Sequence, residues 1–227
     1  MSVGKANDLH AQAINVREHE QDFLKALKFT DEAILACVEE KDSKELIGIF
    51  GTRQNIFGHL AEKTEDNNYL ILAKHAAMAA VEIAEKSNLP SSMPYRDLAK
   101  AHEKLKDYKE AISYYEKSLN SSLDENHNRE SIKADIKAHF AYVKYKNGDK
   151  SALDLMNEAI SQLESAAEQQ YEKDVWLSGA HMRAAEMLKE DNPQLSKDHL
   201  AKAQEIIDGN SELVLRKGQL EELQKLI

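Results

Sequence analysis

Apolar side chains recur at three- and four-residue intervals along nearly all of this 227-residue chain. From Phe23 onward, for example, they fall at Leu24, Leu27, Ile34 and Val38. This spacing gathers them on one face of an α-helix, whereas a half-buried strand would alternate at every second residue. The chain has only 3 prolines and 8 glycines, too few for the frequent turns of a strand-rich fold. The pattern therefore predicts an all-α protein.

Short polar breaks separate the predicted helices. Asp42 precedes one helix, Asn192–Pro193 gives another an N-cap followed by proline, and Gly148 offers a left-handed C-cap. Asp107 and Glu110 have the spacing of a capping box. These signals indicate about ten or eleven helices, mostly of about 12–20 residues. Because the turns are short, successive helices are expected to be antiparallel neighbours.

One segment, at residues 95–119, carries a motif on both of its predicted helices. The first helix has an aromatic residue, a leucine followed by a small residue, and then a large residue. The second has two aromatic residues with a small residue between them, and then a small residue followed by leucine. In chain order these positions are Tyr95, Leu98–Ala99, His102, Tyr108, Ala111, Tyr115 and Ser118–Leu119. The segment resembles a tetratricopeptide repeat (TPR), with its best copy at about residues 92–125.

Weaker copies of the motif lie on both sides of this segment, and they are spaced nearer about 40 residues apart than the usual 34 or so. One hairpin cannot bury its own apolar face, so several must stack. The resemblance implies a right-handed α-α superhelix, a TPR-like solenoid, of about five antiparallel hairpins. The long helices are also similar to those of bacterial peptide-receptor proteins and vesicle-fusion adaptor proteins. The weaker copies are carried by Phe23, Ala26, Phe50–Gly51, Phe140–Ala141, Trp176 and Gly179–Ala180.

The final segment, at about residues 211–227, carries Leu213, Leu220, Leu223 and Leu226 on one helical stripe. Terminal repeats of solenoids need a cap that covers their apolar edge, so we expect a C-terminal capping helix. The alternative is a helix that docks in another subunit.

The composition bounds the partners and the compartment. A formal net charge of −10 disfavours binding to phosphate backbones, so no nucleic-acid partner is expected. No apolar run is long enough to cross a bilayer, and residues 1–8 lack the apolar core of a signal peptide, so we expect a cytoplasmic protein with no membrane partner. The single cysteine, Cys37, excludes an intramolecular disulfide, and its apolar neighbours predict a buried side chain. No linker is rich in Pro, Gly or Ser, and residues 1–227 are expected to form a single domain.

Sequence motifs of catalysis and metal binding are not found. The nine histidines are scattered, without the spacing of zinc ligands. Gly48, Gly51 and Gly58 are spread along one predicted helix, where small residues permit close packing, and they do not form a phosphate-binding loop. We therefore expect a non-enzymatic protein with no catalytic residues, no cofactor and no metal ion.

The resemblance also implies a binding surface, because the first helices of successive TPR hairpins line a groove. Amide, cationic and aromatic side chains facing it would suit an extended peptide, whose backbone needs hydrogen bonds. Arg96 and Lys100 lie four residues apart on one helix and would form its cationic centre. Ala11 stands where a chaperone-tail clamp has lysine, so no such clamp is expected. The predicted groove residues are Asn15, Thr52, Asn55, Arg96, Lys100, Tyr142, Tyr145 and His181.

Three functional hypotheses stay open at this point. The first is a scaffold or adaptor whose groove binds another protein or a peptide segment. The second is a sensor that holds a small molecule or a signalling peptide in the groove. The third is self-assembly, for example a homodimer, through the C-terminal helix or the N-terminal hairpin. Against all three, the predicted groove residues could be ordinary polar surface.

Overall fold

The computed structural model describes residues 4–121 and 129–227. Over these residues it contains eleven α-helices and one π-helical turn, and no strand, so the predicted all-α fold is confirmed. The contacts divide the chain into two compact units, described separately below as unit 1 (within residues 4–121) and unit 2 (within 129–227). The single domain expected for residues 1–227 stays a prediction. Residues 122–125, at the end of the predicted best repeat, lie outside the described residues.

Unit 1 consists of three antiparallel helix pairs, α1/α2, α3/α4 and α5/α6. Each first helix also packs beside the next one, α1 against α3 and α3 against α5. The helices are α1 Lys5–Asn15, which continues into the π-helical turn Val16–Glu20, α2 Phe23–Glu40, α3 Ser43–Thr64, α4 Asn68–Lys86, α5 Ser92–Lys104 and α6 Tyr108–Asn120.

Side-chain caps begin two of these helices. The carboxylate of Asp22 accepts the backbone N–H of Lys25 at the start of α2, and that of Asp42 accepts the N–H of Glu45 at the start of α3. The predicted capping box at Asp107 is wrong, because the Asp107 side chain makes no capping bond. Its Oδ2 lies 3.1 Å from Nδ1 of His102, a partner on the preceding helix that the local spacing could not reveal.

The turns of unit 1 use left-handed residues that are not glycine. Five of them have φ between 50° and 60°. Four follow the ends of α2, α3, α4 and α5, and the fifth separates the π-helical turn from α2. They are Gln21, Lys41, Glu65, Asn88 and Lys106.

The α5/α6 pair has the packing that its motif predicts. Ala99 and Ala111 are fully buried between the two helices. Tyr115 is also fully buried, and its hydroxyl donates to Oε2 of Glu103 at 2.5 Å. At the open end of the hairpin, Ser92 Oγ donates to the carbonyl of Ser118, and Ser118 Oγ donates to the carbonyl of Ser92, both at 2.8 Å.

Unit 2 contains two further antiparallel pairs, α7/α8 and α9/α10, and a final helix that packs on α9 and α10. Leu213 and Leu220 of the C-terminal segment are buried against Ala203 and Ile207 of α10, which is the packing expected of a capping helix. The helices are α7 Glu130–Lys146, α8 Ala152–Ser165, α9 Gln170–Leu188, α10 Pro193–Asp208 and α11 Val214–Gln224.

Candidate binding surfaces

The side of unit 1 formed by α1, α3 and α5, here called the first-helix surface, is built on glycines of α3. A Cβ atom at Gly48 would lie 3.2 Å from Cε1 of His10 on α1. A Cβ at Gly51 would lie 2.7 Å from Oδ2 of Asp97 on α5, and one at Gly58 would lie 3.0 Å from Nζ of Lys104. Side chains of both neighbouring helices therefore lie directly on the α3 backbone, which is the close packing that the glycine spacing predicted.

His10 connects α1 to α3. Its Nδ1 lies 2.5 Å from Oε1 of Glu45, and its Nε2 lies 2.7 Å from Oγ1 of Thr52. Thr52, a predicted groove residue, is thus on the first-helix surface but is largely buried under the His10 ring.

Lys100 connects α5 to α3. Its ammonium group donates to Oδ1 of Asn55 at 3.1 Å, which brings two of the predicted groove residues into contact. Arg96, one turn earlier on α5, donates through Nε and Nη2 to Oδ1 of Asp97, at 3.0 and 2.7 Å. Only 14% of the Arg96 side chain is exposed, so its guanidinium is part of the packed surface.

A second polar group lies near the C-terminal ends of α3 and α5. Lys104 Nζ donates to Oε1 of Glu62 at 2.5 Å, and His59 Nδ1 lies 3.3 Å from the other carboxylate oxygen. Burial lowers the pKa of His59, against the opposing effect of its bond to Glu62. Burial alone would raise the pKa of Glu62, but His59 and Lys104 outweigh it and hold that pKa below its usual range. The group is a neutral imidazole beside a carboxylate–ammonium pair.

Asn15 lies on a different side of α1 from His10. It lines an open depression of about 410 Å³ formed by α1, the π-helical turn and α2. That Asn15 shares a surface with Thr52 and Asn55 stays a prediction. The other lining residues of the depression are Ala11, Gln12, Val16, Glu20, Lys25 and Phe29.

In unit 2, the predicted groove residue Tyr142 bridges α7 and α9. Its hydroxyl donates to Oε1 of Glu186 at 2.8 Å, and Lys146 pairs with the same carboxylate oxygen at 3.0 Å. Tyr145, by contrast, is buried in the core between α7, α8 and α9. Its hydroxyl reaches Asp191 at the α9/α10 turn, and the ammonium group of Lys150 lies 4.1 Å from its ring centre.

His181 is buried inside its own hairpin. Its Nδ1 lies 2.9 Å from Nδ1 of His199 on α10, so one ring must donate and the other accept. Burial, reinforced by His199 and Lys202, lowers the pKa of His181 to about 4, and burial also lowers the pKa of His199. Both rings are therefore neutral at pH 7, and the His181 ring faces α10.

Several polar residues of these surfaces were not predicted from the sequence. His10 is one, and the pair formed by Nε2 of His139 and Nη2 of Arg183, at 2.5 Å, is another. Asp135 and His139 are both buried, four residues apart on α7. Two polar residues four apart on an otherwise apolar helix face could have predicted a buried hydrogen-bonding group in the sequence, because buried polar groups are nearly always hydrogen-bonded.

Within the described ranges, no three His, Cys, Asp or Glu side chains are grouped so that they could hold a metal ion. In the same residues, no helix is both long and apolar enough to cross a membrane.

Comparison with known proteins gives structural matches only. No family model matches the chain, and no curated protein sequence matches it significantly. The crystal structure of BtubC (BKLC) from P. vanneervenii matches 89% of this chain and 80% of its own, with a TM-score of 0.65 at 18% identity. A protein described as a kinesin light chain with nearly identical TPR-like repeats, from Podosopora anserina, matches 91% of this chain and 97% of its own, with a TM-score of 0.57 at 13% identity. The structure of a point variant of that protein matches 89% of this chain and 94% of its own, with a TM-score of 0.58 at 12% identity. At such identities the likeness concerns the fold alone, and this chain has the TPR-like helical-repeat fold.

Proposed function

We propose that the protein is a non-enzymatic scaffold whose first-helix surface in unit 1 binds a segment of another protein. The TPR-like fold supports an interaction role in general. The observation that supports this particular surface is the row of polar contacts that crosses α1, α3 and α5 through His10, Thr52, Asn55 and Lys100.

The chemistry of that row suits a peptide main chain. The amide of Asn55 and the ammonium group of Lys100 offer both donors and acceptors, and an extended peptide carries one donor and one acceptor at nearly every residue. His10 is held by packing against Gly48, and Lys100 and Asn55 are held by their mutual hydrogen bond, before a ligand arrives. Such preorganisation reduces the entropy cost of binding.

Lys100 is the proposed centre for an acidic group of the ligand. Its ammonium donates to the neutral amide oxygen of Asn55. A ligand carboxylate there would accept from the same ammonium group, and a hydrogen bond between two charged groups is stronger than one to a neutral amide. Arg96 is proposed to lie beside this centre. Its role is indirect, since its guanidinium hydrogen-bonds to Asp97 and fixes that carboxylate in place. In unit 2, Tyr142 is proposed as a contact on that unit's own first helices.

The test uses a double variant, Asn55→Ala with Lys100→Gln, and a matched control on α4, Asn68→Ala with Lys86→Gln. Both replace one asparagine by alanine and remove one positive charge, and Asn68 and Lys86 are exposed on a second helix. Circular dichroism and thermal melts first establish that both fold. We expect quantitative capture from lysate to lose at least one protein that the parent and the control retain, with recovery of that protein falling as salt is raised. If the folded variant keeps every partner of the parent, this surface is not the binding site.

Arg96→Glu is not suited to the same test. It would place a carboxylate beside the buried Asp97 and remove the partner that Asp97 has. A loss of binding would then not be separable from a loss of fold.

A further inference from the structure

Large apolar side chains are exposed on the second helices of the first two hairpins of unit 1. On α2, Leu24, Leu35 and Val38 are each about two-thirds exposed (66%, 67% and 64%). On α4, Ile71 and Met78 are nearly half exposed. The corresponding side of α6 is polar, with Lys109, Glu110, Ser113, Glu116 and Lys117 exposed. Within unit 1 the exposed apolar surface of the second helices thus belongs to the first two hairpins.

The exposed residues of α2 form one stripe, here called the α2 stripe: Leu24, Lys28, Asp31 and Leu35. Their spacings of four, three and four residues keep them on one line along the helix. All four are exposed, and the stripe lies opposite the buried face that carries Ala26 and Ala33. Its length is about 16 Å, since each residue of a helix rises about 1.5 Å.

The stripe is its own complement when two copies are laid antiparallel. If Leu24 of one copy faces Leu35 of the second, the same register places Lys28 opposite Asp31. Each of these two pairs occurs twice, related by a two-fold axis, as a closed symmetric interface requires. Two apolar pairs then flank two opposite-charge pairs, and Val38 extends the apolar end beside Leu24 of the second copy.

A parallel arrangement would not work. It would place Lys28 against Lys28 and Asp31 against Asp31, and like charges at an interface disfavour association. Charge therefore selects the antiparallel register, in the way that charged positions set orientation in coiled coils.

Asp31 is positioned for this contact. Its Oδ1 accepts from Arg53 of α3, whose Nη1 also donates to Thr30 Oγ1 at 2.8 Å. The Asp31 side chain nevertheless remains 64% exposed. Arg53 fixes the carboxylate from one side and leaves its other side open.

We propose that the α2 stripe is a homodimer interface, in which α2 of one copy packs antiparallel on α2 of a second copy through Leu24–Leu35 and Lys28–Asp31 contacts. A single helix pair is at the small end of specific interfaces, so the dimer forms reversibly with rising concentration. It uses the second-helix side of unit 1 and is independent of the binding proposed for the first-helix surface.

Sedimentation velocity on the full chain tests the interface, from low micromolar to about 1 mM, the range that a weak interface requires. We expect the parent to shift from monomer to dimer. Lys28→Asp and Asp31→Lys are each expected to stay monomeric, because each places like charges opposite one another. Mixed in equal amounts, these two variants should form a heterodimer, since every charge pair is then opposite.

A second pair of variants avoids the contact with Arg53. Leu35→Glu and Leu24→Lys should each be monomeric alone and associate on mixing. Met78→Glu on α4 is the matched control and should dimerise like the parent. A parent that is monomeric throughout, stripe variants that dimerise like the parent, or a failure of both mixtures to associate would each overturn the proposal.

Discussion

The carboxylate of Asp97 on α5 lies over the backbone of Gly51 on α3, in the space where a Cβ of residue 51 would stand. The distance from that Cβ position to Oδ2 would be 2.7 Å. Asp97 is only 6% exposed and is held by two hydrogen bonds from Arg96. The approach of α5 to α3 therefore depends on a missing side chain.

Gly51→Ala is expected to destabilise the protein, although alanine favours a helix over glycine by about 1 kcal/mol. The added methyl group must displace the short, buried Asp97 side chain, and overpacking of this kind typically costs about 1–3 kcal/mol. Gly218→Ala on α11 is the control, because nothing lies within 4 Å of its Cβ position, and it should raise stability. Urea denaturation of both variants measures the difference. Equal stabilisation by the two substitutions would contradict the packing described here.

Gln54→Met is expected to stabilise unit 1. Gln54 is fully buried on α3, and neither its Oε1 nor its Nε2 has a hydrogen-bond partner. Leaving a buried polar group unsatisfied costs about 1–3 kcal/mol, and methionine fills a similar volume without polar hydrogen-bonding groups. Thermal melts should show a higher midpoint for this variant, while Gln12→Met at an exposed position should change stability by less than about 0.5 kcal/mol. A lower midpoint for Gln54→Met would indicate that the amide is satisfied in solution.

The free energy of unfolding is expected to decrease as the pH is lowered from about 6.5 to about 4, and His181 should account for part of that decrease. In the folded protein the pKa of His181 is about 4, against 6.5 for an ordinary histidine, because of burial and the nearby His199 and Lys202. Between these values the unfolded chain binds the proton and the folded one does not, so acid favours unfolding. At pH 5 this amounts to about 2 kcal/mol from His181 alone.

The corresponding experiment compares urea denaturation of the parent and of His181→Gln from pH 7 to pH 5. The substitution removes one titrating group, so its stability should depend less steeply on pH. The slope from His199, whose pKa is also lowered, remains. Identical slopes for the two proteins would mean that His181 is not buried as a neutral ring.

Cys37 is expected to react with thiol reagents only when the protein opens. Its side chain is 2% exposed, in a cluster with Leu9, Ala33 and Ile49. Burial, with smaller contributions from Glu45 and other nearby carboxylates, raises the pKa of the thiol to about 11, so the reactive thiolate is scarce at pH 8. Native protein should be labelled by a colorimetric disulfide reagent far more slowly than protein in denaturant. Rapid labelling under native conditions would refute the buried placement.

Much of the fold was predictable because a packed helix requires apolar residues at regular three- and four-residue intervals in the sequence. The hairpin at residues 95–119 could be recognised from Ala99, Ala111 and Tyr115, whose sizes are required by close packing and which are fully buried. Glycine spacing along α3 likewise predicted close contacts, because a missing Cβ can be read directly from the sequence. The division of the chain into two compact units could not be predicted in this way, since no change in amino-acid composition marks the boundary between them.

The surroundings of the predicted groove residues were only partly predictable, because side-chain direction around a helix changes by about 100° per residue. Where the motif is strong, on α5, the register was good enough to bring Lys100 and Asn55 together. Where the motif is weak, a small shift of register changes which neighbour a side chain meets. Asn15 therefore lies at the α1/α2 depression, and His181 faces His199. Which neighbour covers a residue depends on packing that no local pattern encodes.

The turns of unit 1 place residues other than glycine in the left-handed conformation, and this affects how its helix ends unfold. Among the described residues the only glycine with positive φ is Gly148, in unit 2, whereas Gln21, Lys41, Glu65, Asn88 and Lys106 hold that conformation in unit 1. An L-residue with a side chain is destabilised there by about 1 kcal/mol, because its Cβ crowds the following carbonyl oxygen. Backbone hydrogen bonds from Asp42 to Cys37, from Leu89 to Ala84 and from Asp107 to His102 close three of these turns, so each of the three is held by the last turn of the preceding helix. Unwinding of the last turn of such a helix should therefore release the strained residue that follows it, and fraying at these helix ends should be more cooperative than the helix lengths alone suggest.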